Sequence, residues 1–321
     1  MTVIASAPGK VNLVLLVAKP DERVYHPLYS IFETLNIRET ASVQVRPPAQ
    51  ADVLIDGYPI VVTTTAPGAE LPELADLDPK RHLAWRAAAA LWDVSQRRRN
   101  LPIPPGHVLD IEITKRIPVA GGMAGGSADA AATLVAVNEV LGLDLDDEYL
   151  HEIGRQLGAD VPACLQGGIS LGLGYGDHMT RLDDADTPQH HWVMVTMDQG
   201  LSTPGVFKEF DARGRGRDTL PTALKREHLA ALGTADQVGQ ILENDLQETA
   251  RELHPTLNRA WEAIEATDAV ASILSGSGPT IAVLARDGEH ARRLAKHLKT
   301  QPGIAGTVVT SGPARPAGIE N

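Results

Sequence analysis

The sequence predicts two units in tandem, each mixing β-strands with helices. Three observations lead there. A chain of 321 residues holds about two domains' worth of material. A strand, a glycine-rich loop and an alanine-rich helix follow one another over 108–141, and a second run of strands and helices starts at Trp192. Between the two runs Leu182–His191 is acidic and polar, as a linker is, so the units are expected at 1–185 and 186–321.

Composition narrows the class. With 43% hydrophobic and 22% charged residues the chain is an ordinary globular one. A formal net charge of −12 argues against a general nucleic-acid or anionic-membrane surface, so an anionic ligand must be held by local groups. The single cysteine, Cys164, excludes an internal disulfide framework; it reads as a small buried hydrophobe in a cytoplasmic protein. Neither a signal peptide nor a run of some 18 apolar residues is present.

In order along the chain, Val3–Ala7 and Val11–Val17 read as strands joined by a turn at Ala7-Pro8-Gly9-Lys10. Lys10 and Asn12, two apart, leave the same face of extended chain. Asp21–Tyr29 is a polar loop containing Tyr25-His26-Pro27. Ile31–Val45 is one strand or two, and Val53–Ile60 is a hairpin turning at Asp56-Gly57. Thr63–Pro79, rich in Pro, Ala, Gly and acids, is a surface connection. Leu83–Trp92 is a short helix, with Arg97-Arg98-Arg99 a solvated end beyond it. Val108–Ile117 alternates as a half-buried strand, and the helix after the glycine loop ends at Gly142. Asp147–Leu157 is a second helix stopped by Gly158, after which Asp160 sits in a turn constrained by Pro162. Gly167–Tyr175 is a glycine-rich strand near a bend.

The second unit reads as strand Trp192–Met197, loop Asp198–Gly205, a polar helical region to Gly233, and helices Ala235–Arg251 and Thr256–Thr267. Strand Ile281–Ala285, helix Gly288–Lys299 and strand Thr307–Thr310 complete it. His190-His191 is expected at the surface, and the tail Gly312–Asn321 is expected to be loose.

Chemistry concentrates at Pro118-Val119-Ala120-Gly121-Gly122-Met123-Ala124-Gly125-Gly126-Ser127-Ala128. Four glycines let successive backbone N–H groups turn onto an anion; Ser127 is expected to cap the following helix, whose N-terminus adds donors and the positive end of its dipole. The spacing is neither G-x-x-x-x-G-K-[ST] nor a dinucleotide fingerprint, which counts against a dehydrogenase. A tight connection without a ligand remains the alternative for this stretch alone.

Three stretches in one order, Pro8-Gly9-Lys10-Val11-Asn12-Leu13, Pro118–Ala128 and Leu274-Ser275-Gly276-Ser277-Gly278-Pro279-Thr280, resemble the motif pattern of the galactokinase, homoserine kinase, mevalonate kinase and phosphomevalonate kinase (GHMP) superfamily. The closer likeness is to those members whose acceptor is a cytidine-diphosphate-linked methylerythritol of the non-mevalonate isoprenoid route. It rests on Lys10–Leu13, Tyr25-His26, the glycine loop with Asp129 after it, Gly158-Ala159-Asp160-Val161-Pro162, and Thr203-Pro204 with Phe207. The resemblance implies an α+β fold: an N-terminal domain with a left-handed β-α-β crossover and a ferredoxin-like C-terminal domain, with the site in the cleft between them. It implies an ATP- and Mg²⁺-dependent kinase, monomeric or homodimeric, that phosphorylates a tertiary hydroxyl. Asp160 matches the family's catalytic base and Lys10 its lysine; residues 118–128 would hold ATP, with Ser127 near phosphate or Mg²⁺. The cytosine would stack between Tyr25 and Phe207 with His26 on its edge, and Asn12, Thr203 and Pro204 would line the acceptor. Ala120 replaces a common glycine, and Arg81-His82-Leu83 stands where an Asn-Leu pair is usual. The competing readings are the same fold with homoserine, mevalonate or a sugar as acceptor, or a silent nucleotide- or sugar-binding regulator.

Overall fold

The computed structural model describes residues 1–67, 79–98, 103–119 and 121–320. Residues 68–78 of the expected surface connection, Arg99 of the arginine run and Ala120 of the loop lie outside that set. The first sheet starts with β1 (Thr2–Val17) and β2 (Leu28–Arg46), antiparallel along almost their whole length. β1 is one continuous strand rather than two. Its register against β2 slips at Pro8/Gly9 and again at Asn12/Val14, so the Pro-Gly pair makes a bulge, not a turn. Glycine is needed there for closeness: a Cβ on Gly9 would stand 3.0 Å from Ile117 Cδ1 and 3.1 Å from the Met123 carbonyl.

β3 (Ile60–Thr65), α1 (Leu83–Arg97) and β4 (Val108–Thr114) form a β-α-β unit, with β4 parallel to β3 and antiparallel to β2. The Asp56-Gly57 turn exists, both residues at positive φ, but it closes a single bridge between Ile55 and Tyr58. Thr63–Thr65 belong to β3 instead of the surface connection, and α1 runs five residues beyond Trp92. α2 (Gly125–Val140) is apolar on most sides, and Ala128, Ala130, Ala131, Ala132 and Ala136 are wholly buried; these small side chains let it lie close to β1 and β2. α3 (Asp147–Leu157), capped by Asp146 and ended by Gly158, matches its expected bounds. α4 (Val161–Gln166), β5 (Ile169–Leu173) and β6 (His178–Arg181) complete this part.

The second sheet is built from β7 (His190–Thr196), with α5 (Thr203–Ala212), α6 (Arg226–Ala230), α7 (Ala235–Gly239), β8 (Glu243–Asn244), α8 (Gln247–Leu253) and α9 (Thr256–Glu265) before its next strand. Then come β9 (Ala271–Leu274), β10 (Ile281–Ala285), α10 (Gly288–Leu298) and β11 (Gly306–Gly312). Its strand order β11-β7-β10-β9, all antiparallel, is the split β-α-β-β-α-β arrangement of a ferredoxin-like domain. The fold is α+β, as expected. Val193, Leu257, Trp261, Ile281, Val283 and Leu294 form its core.

Four expectations are corrected here. α5 begins inside the expected loop Asp198–Gly205, because Ser202 accepts from the Gly205 N–H and Pro204 suits a first helical turn. The expected helix Ala235–Arg251 breaks at β8, where Glu243 and Asn244 pair with β1 and the Asn244 amide donates to the Leu274 and Gly276 carbonyls. His190 is 1% exposed, not a surface residue. The tail is tied down: β12 (Gly318–Ile319) pairs with β1, and Arg38 donates to the Arg315 and Pro316 carbonyls at 2.8 Å each. Among the described residues no helix is long and apolar enough to cross a membrane.

Candidate active site

A cavity of about 490 Å³ opens where β1, the glycine loop, the turn before β10 and α5 converge. At its centre Lys10 projects from β1, 3% exposed. Its ammonium donates to Asn12 Oδ1 at 2.6 Å, stands 3.6 Å from Asp160 Oδ2 and lies 5.7 Å from the centre of the Phe32 ring. Asn12 in turn donates to Ser30 Oγ, and Ser30 to the Val14 carbonyl, so the lysine is aimed through a chain of buried bonds. Asp160 stands at the N-terminus of α4, yet its side chain makes no capping bond; one-third exposed, it faces the cavity. A carboxylate beside a fixed ammonium, open to a ligand, can take a proton from a bound hydroxyl while the ammonium steadies the negative charge that forms.

The glycine loop lies against this pair. The Lys10 N–H donates to the Met123 carbonyl, and Gly122 (φ 75°) is pressed onto the turn before β10, with Ser275 Oγ donating to its carbonyl. A Cβ on Gly122 would fall 2.0 Å from the Ser275 carbonyl oxygen. Ala124 adopts the left-handed region (φ 60°) and is the residue from which α2 springs. The helix therefore starts at Gly125, three residues earlier than a Ser127 cap requires, and no side chain caps it. Its first amides are left for a ligand, beside the cavity wall formed by Gly121, Gly122, Met123, Ala124, Gly125 and Gly126.

Below the helix start a buried cluster sets the local charge. Lys115 Nζ contacts Glu39 Oε1 at 2.7 Å and Asp129 Oδ2 at 2.8 Å, and Glu39 Oε2 accepts from the Arg116 N–H. Burial pushes Glu39 up to about 7 against the pull of Lys115, and raises Asp129 likewise. Lys115 loses hydration, but the two carboxylates outweigh that and raise it. His82, capping α1, accepts from the Ala84 N–H on Nδ1, so its Nε2–H faces Thr64 Oγ1 at 3.1 Å. Burial, then the charge of Lys115, lowers it to about 4 and keeps it neutral.

Leu15, Leu28, Tyr175, Phe207 and Leu246 wall the other end of the cavity. Of the residues singled out in the sequence, Lys10, Asn12, Pro118, Val119, Gly121 to Gly126, Asp160, Thr203 and Phe207 line the cavity together. Thr203 Oγ1 and Ser277 Oγ are 2.8 Å apart. Ser127 and Ala128 sit in the first turn of α2 behind that wall; Ser127 Oγ would be 4.0 Å from a Cβ on Gly158. His26 lies behind Phe207, ring centres 4.9 Å apart, with Nδ1 on the Ala18 carbonyl and Nε2 3.3 Å from Asp211. Pro204 is exposed in the first turn of α5, and Tyr25 is 67% exposed, edge-on to Tyr175 and off the cavity wall. Sequence reading missed Tyr175, Glu39 and Lys115. Lys115 had a signal, the first of two adjacent basic residues that follow a strand just before the glycine loop; the other two had none.

Known proteins resemble this chain along nearly its whole length. The profile of the GHMP kinases N terminal domain matches residues 82–168, and that of the GHMP kinases C terminal domain matches 223–304. Fold and site thus define a small-molecule kinase of the GHMP class. A protein of Pseudarthrobacter chlorophenolicus named 4-diphosphocytidyl-2-C-methyl-D-erythritol kinase is 40% identical over 314 residues, covering 94% of this chain and 90% of its own; one of the same name from Corynebacterium jeikeium is 38% identical, covering 99% and 94%. The chain belongs to the 4-diphosphocytidyl-2-C-methyl-D-erythritol kinase family. A crystal structure of 4-(cytidine 5′-diphospho)-2C-methyl-D-erythritol kinase superposes with a TM-score of 0.67 at 27% identity, covering 98% of this chain and all of that one. Mevalonate kinase from L. major, at 18% identity and a TM-score of 0.70 over 98% and 96% of the two chains, shares the fold.

Proposed function

We propose that the protein transfers the γ-phosphoryl group of ATP to the tertiary 2-hydroxyl of 4-diphosphocytidyl-2-C-methyl-D-erythritol, in the cytoplasm, as a monomer or homodimer. The observation that carries the reading is the buried Lys10 ammonium held 3.6 Å from the open Asp160 carboxylate, beside a glycine loop and an uncapped helix N-terminus. Asp160 accepts the hydroxyl proton; Lys10 orients it and stabilises the developing alkoxide. Residues 118–128 hold the triphosphate, largely through backbone amides, so that catalysis is mainly in-line positioning and charge neutralisation. Asn12, Thr203 and Phe207, all on the cavity wall, serve the acceptor, with the base near Phe207 and His26 supporting that ring from behind.

Magnesium fits the donor set. Among the described residues no cluster of three or more metal-ligating side chains is present, and a Mg²⁺ carried by phosphates needs only one or two protein oxygens. The Ser127 hydroxyl, in the first turn of α2, would supply one such oxygen and leave the Asp160 carboxylate free to act as the base. When bound, the ion neutralises charge on the β- and γ-phosphates. The division near residue 185 belongs to the same reading: strands from 2–181 build the first sheet and strands from 190–312 the second, with only β8 and β12 crossing back.

The test offers labelled ATP with the cytidyl acceptor, homoserine and mevalonate in parallel, for the wild type and Asp160→Asn. Transfer confined to the cytidyl acceptor, with kcat reduced about 10²- to 10⁴-fold in the variant, is expected. Transfer to another acceptor overturns the substrate; ATP binding without any transfer favours the regulator.

A further inference from the structure

The acceptor end of the cavity has a ring that the sequence did not point to. Tyr175 sits in the turn between β5 and β6, between Gly174 (φ 71°) and Gly176 (φ 87°), and the turn is closed by Gly176 N–H to the Leu173 carbonyl and Tyr175 N–H to Asp177 Oδ1. Two positive-φ residues flanking one aromatic hold it at the tip of a very tight reversal, a conformation glycine adopts at no steric cost. The turn is fixed to the cavity floor, because the Leu28 N–H donates to the Gly174 carbonyl and the space at Gly176 is filled by Leu28 Cδ1 and the Phe32 ring.

The Tyr175 hydroxyl is already spent. It donates to Asp21 Oδ2 at 2.6 Å, while Asp21 Oδ1 accepts from the Arg23 and Tyr25 N–H groups and Asp21 N–H donates to the Tyr25 carbonyl. Loop 21–25 is thereby folded on Asp21 and pinned to the β5–β6 turn. Tyr25 stands behind, its ring edge-on at 5.9 Å. What Tyr175 offers the cavity is therefore its ring and not a hydrogen-bonding group. Base–aromatic stacking needs a ring in a fixed orientation, and the bond to Asp21 fixes this one where it lines the cavity.

We propose that Tyr175 is a specificity-determining residue of this kinase: its ring, with that of Phe207, forms the subsite for the pyrimidine of the acceptor, and Asp21 is the positioning residue that holds it there. This rests on the proposed function, since only an acceptor carrying a base gains from such a subsite.

The experiment compares two acceptors, 4-diphosphocytidyl-2-C-methyl-D-erythritol and 2-C-methyl-D-erythritol 4-phosphate, which lacks the base, in the wild type and in Tyr175→Ala, Tyr175→Phe and Asp21→Ala. Wild-type turnover of the cytidyl acceptor checks the underlying function on its own; without it that function fails before any variant is read. For Tyr175→Ala the KM for the cytidyl acceptor is expected to rise about 10-fold or more, the loss of one base–ring stack, with the KM for ATP and kcat unchanged. Preference for the cytidyl over the base-free acceptor should fall by the same factor. Tyr175→Phe and Asp21→Ala keep the ring but free it, so each should raise KM by about 3-fold, and the double variant no further. An unchanged preference in Tyr175→Ala overturns the proposal, and so does an equal loss on both acceptors, which would make the ring a structural prop. Additive effects of Asp21→Ala and Tyr175→Phe would overturn the role given to Asp21.

Discussion

Lys10 is the residue on which the site turns, and its surroundings explain what losing it would do. Its ammonium is removed from water and faces one amide oxygen, one carboxylate at 3.6 Å and the face of Phe32, a set that does not recover the full cost of burying a charge. Function, not stability, keeps it there. Lys10→Met is therefore expected to melt no lower than the wild type while kcat falls about 10³-fold, the scale for losing a preorganised charge in a closed site. Paired thermal melts and single-turnover kinetics check this. A variant that loses activity only in proportion to a lower melting temperature would show that the lysine holds the fold.

Two elements meet at the back of the site, the glycine loop and the turn Ser275–Thr280, and their contact leaves no room for a side chain. At Gly122 an added methyl would meet both an unfavourable φ and a carbonyl oxygen at 2.0 Å, so Gly122→Ala must push the turn away and carry Lys10 with it through the Met123 carbonyl. Activity should drop at least about 10²-fold, a misplacement effect, and the protein should destabilise by several kcal/mol. Ala124, at φ 60° with no glycine to relieve it, makes the reverse experiment: Ala124→Gly should stabilise by about 1 kcal/mol in denaturant melts. A destabilised Ala124→Gly would mean that the Ala124 methyl contributes packing that outweighs the strain. These elements were legible in the sequence through their combination: alone, Lys10, Asp160 and the glycine loop each read as ordinary turn features, and their roles came from the resemblance that the three stretches in one order bear to a known motif pattern. Continuity of β1 was not legible, since whether Pro8-Gly9 turns or bulges is decided by the strand opposite. Neither was the Ser127 cap, displaced because Ala124 turns left-handed first, nor the break at Asn244, whose side chain answers carbonyls 30 and 32 residues away. Tyr175 was invisible for the same reason: its partner Asp21 is 154 residues distant.

At the scale of the whole molecule the two sheets are joined by a buried polar latch. Glu33 on β2 accepts from Trp192 Nε1 at 3.2 Å and from His190 Nδ1 at 2.9 Å, both on β7, and His190 Nε2 donates to the Gly233 carbonyl at 2.7 Å. Two acceptors on two ring nitrogens require the imidazolium. Burial opposes that charge, but the Glu33 bond and charge with the Gly233 carbonyl outweigh it and raise His190 above its ordinary value. A group whose folded value is raised contributes stability that is complete below its unfolded value, about 6.5 for histidine, and is lost as pH rises through the folded one. Glu39, raised to about 7, acts in the same sense: its contribution is complete below the ordinary glutamate range and disappears as pH passes 7. His82, held at about 4, acts in the opposite sense between about pH 4 and 6.5, so the melting temperature should fall with pH only above about 6.5, and His190→Gln should flatten that fall. Relative to the wild type, Glu39→Gln, which cannot ionise, should gain stability between about pH 4.5 and 7. His190→Gln also leaves Glu33 buried without its cation and should cost about 3 kcal/mol at pH 6, most of it recovered when Glu33→Gln is added. If His190→Gln kept the wild-type slope above pH 6.5, the imidazole would be neutral in the folded protein and the latch would carry no pH dependence.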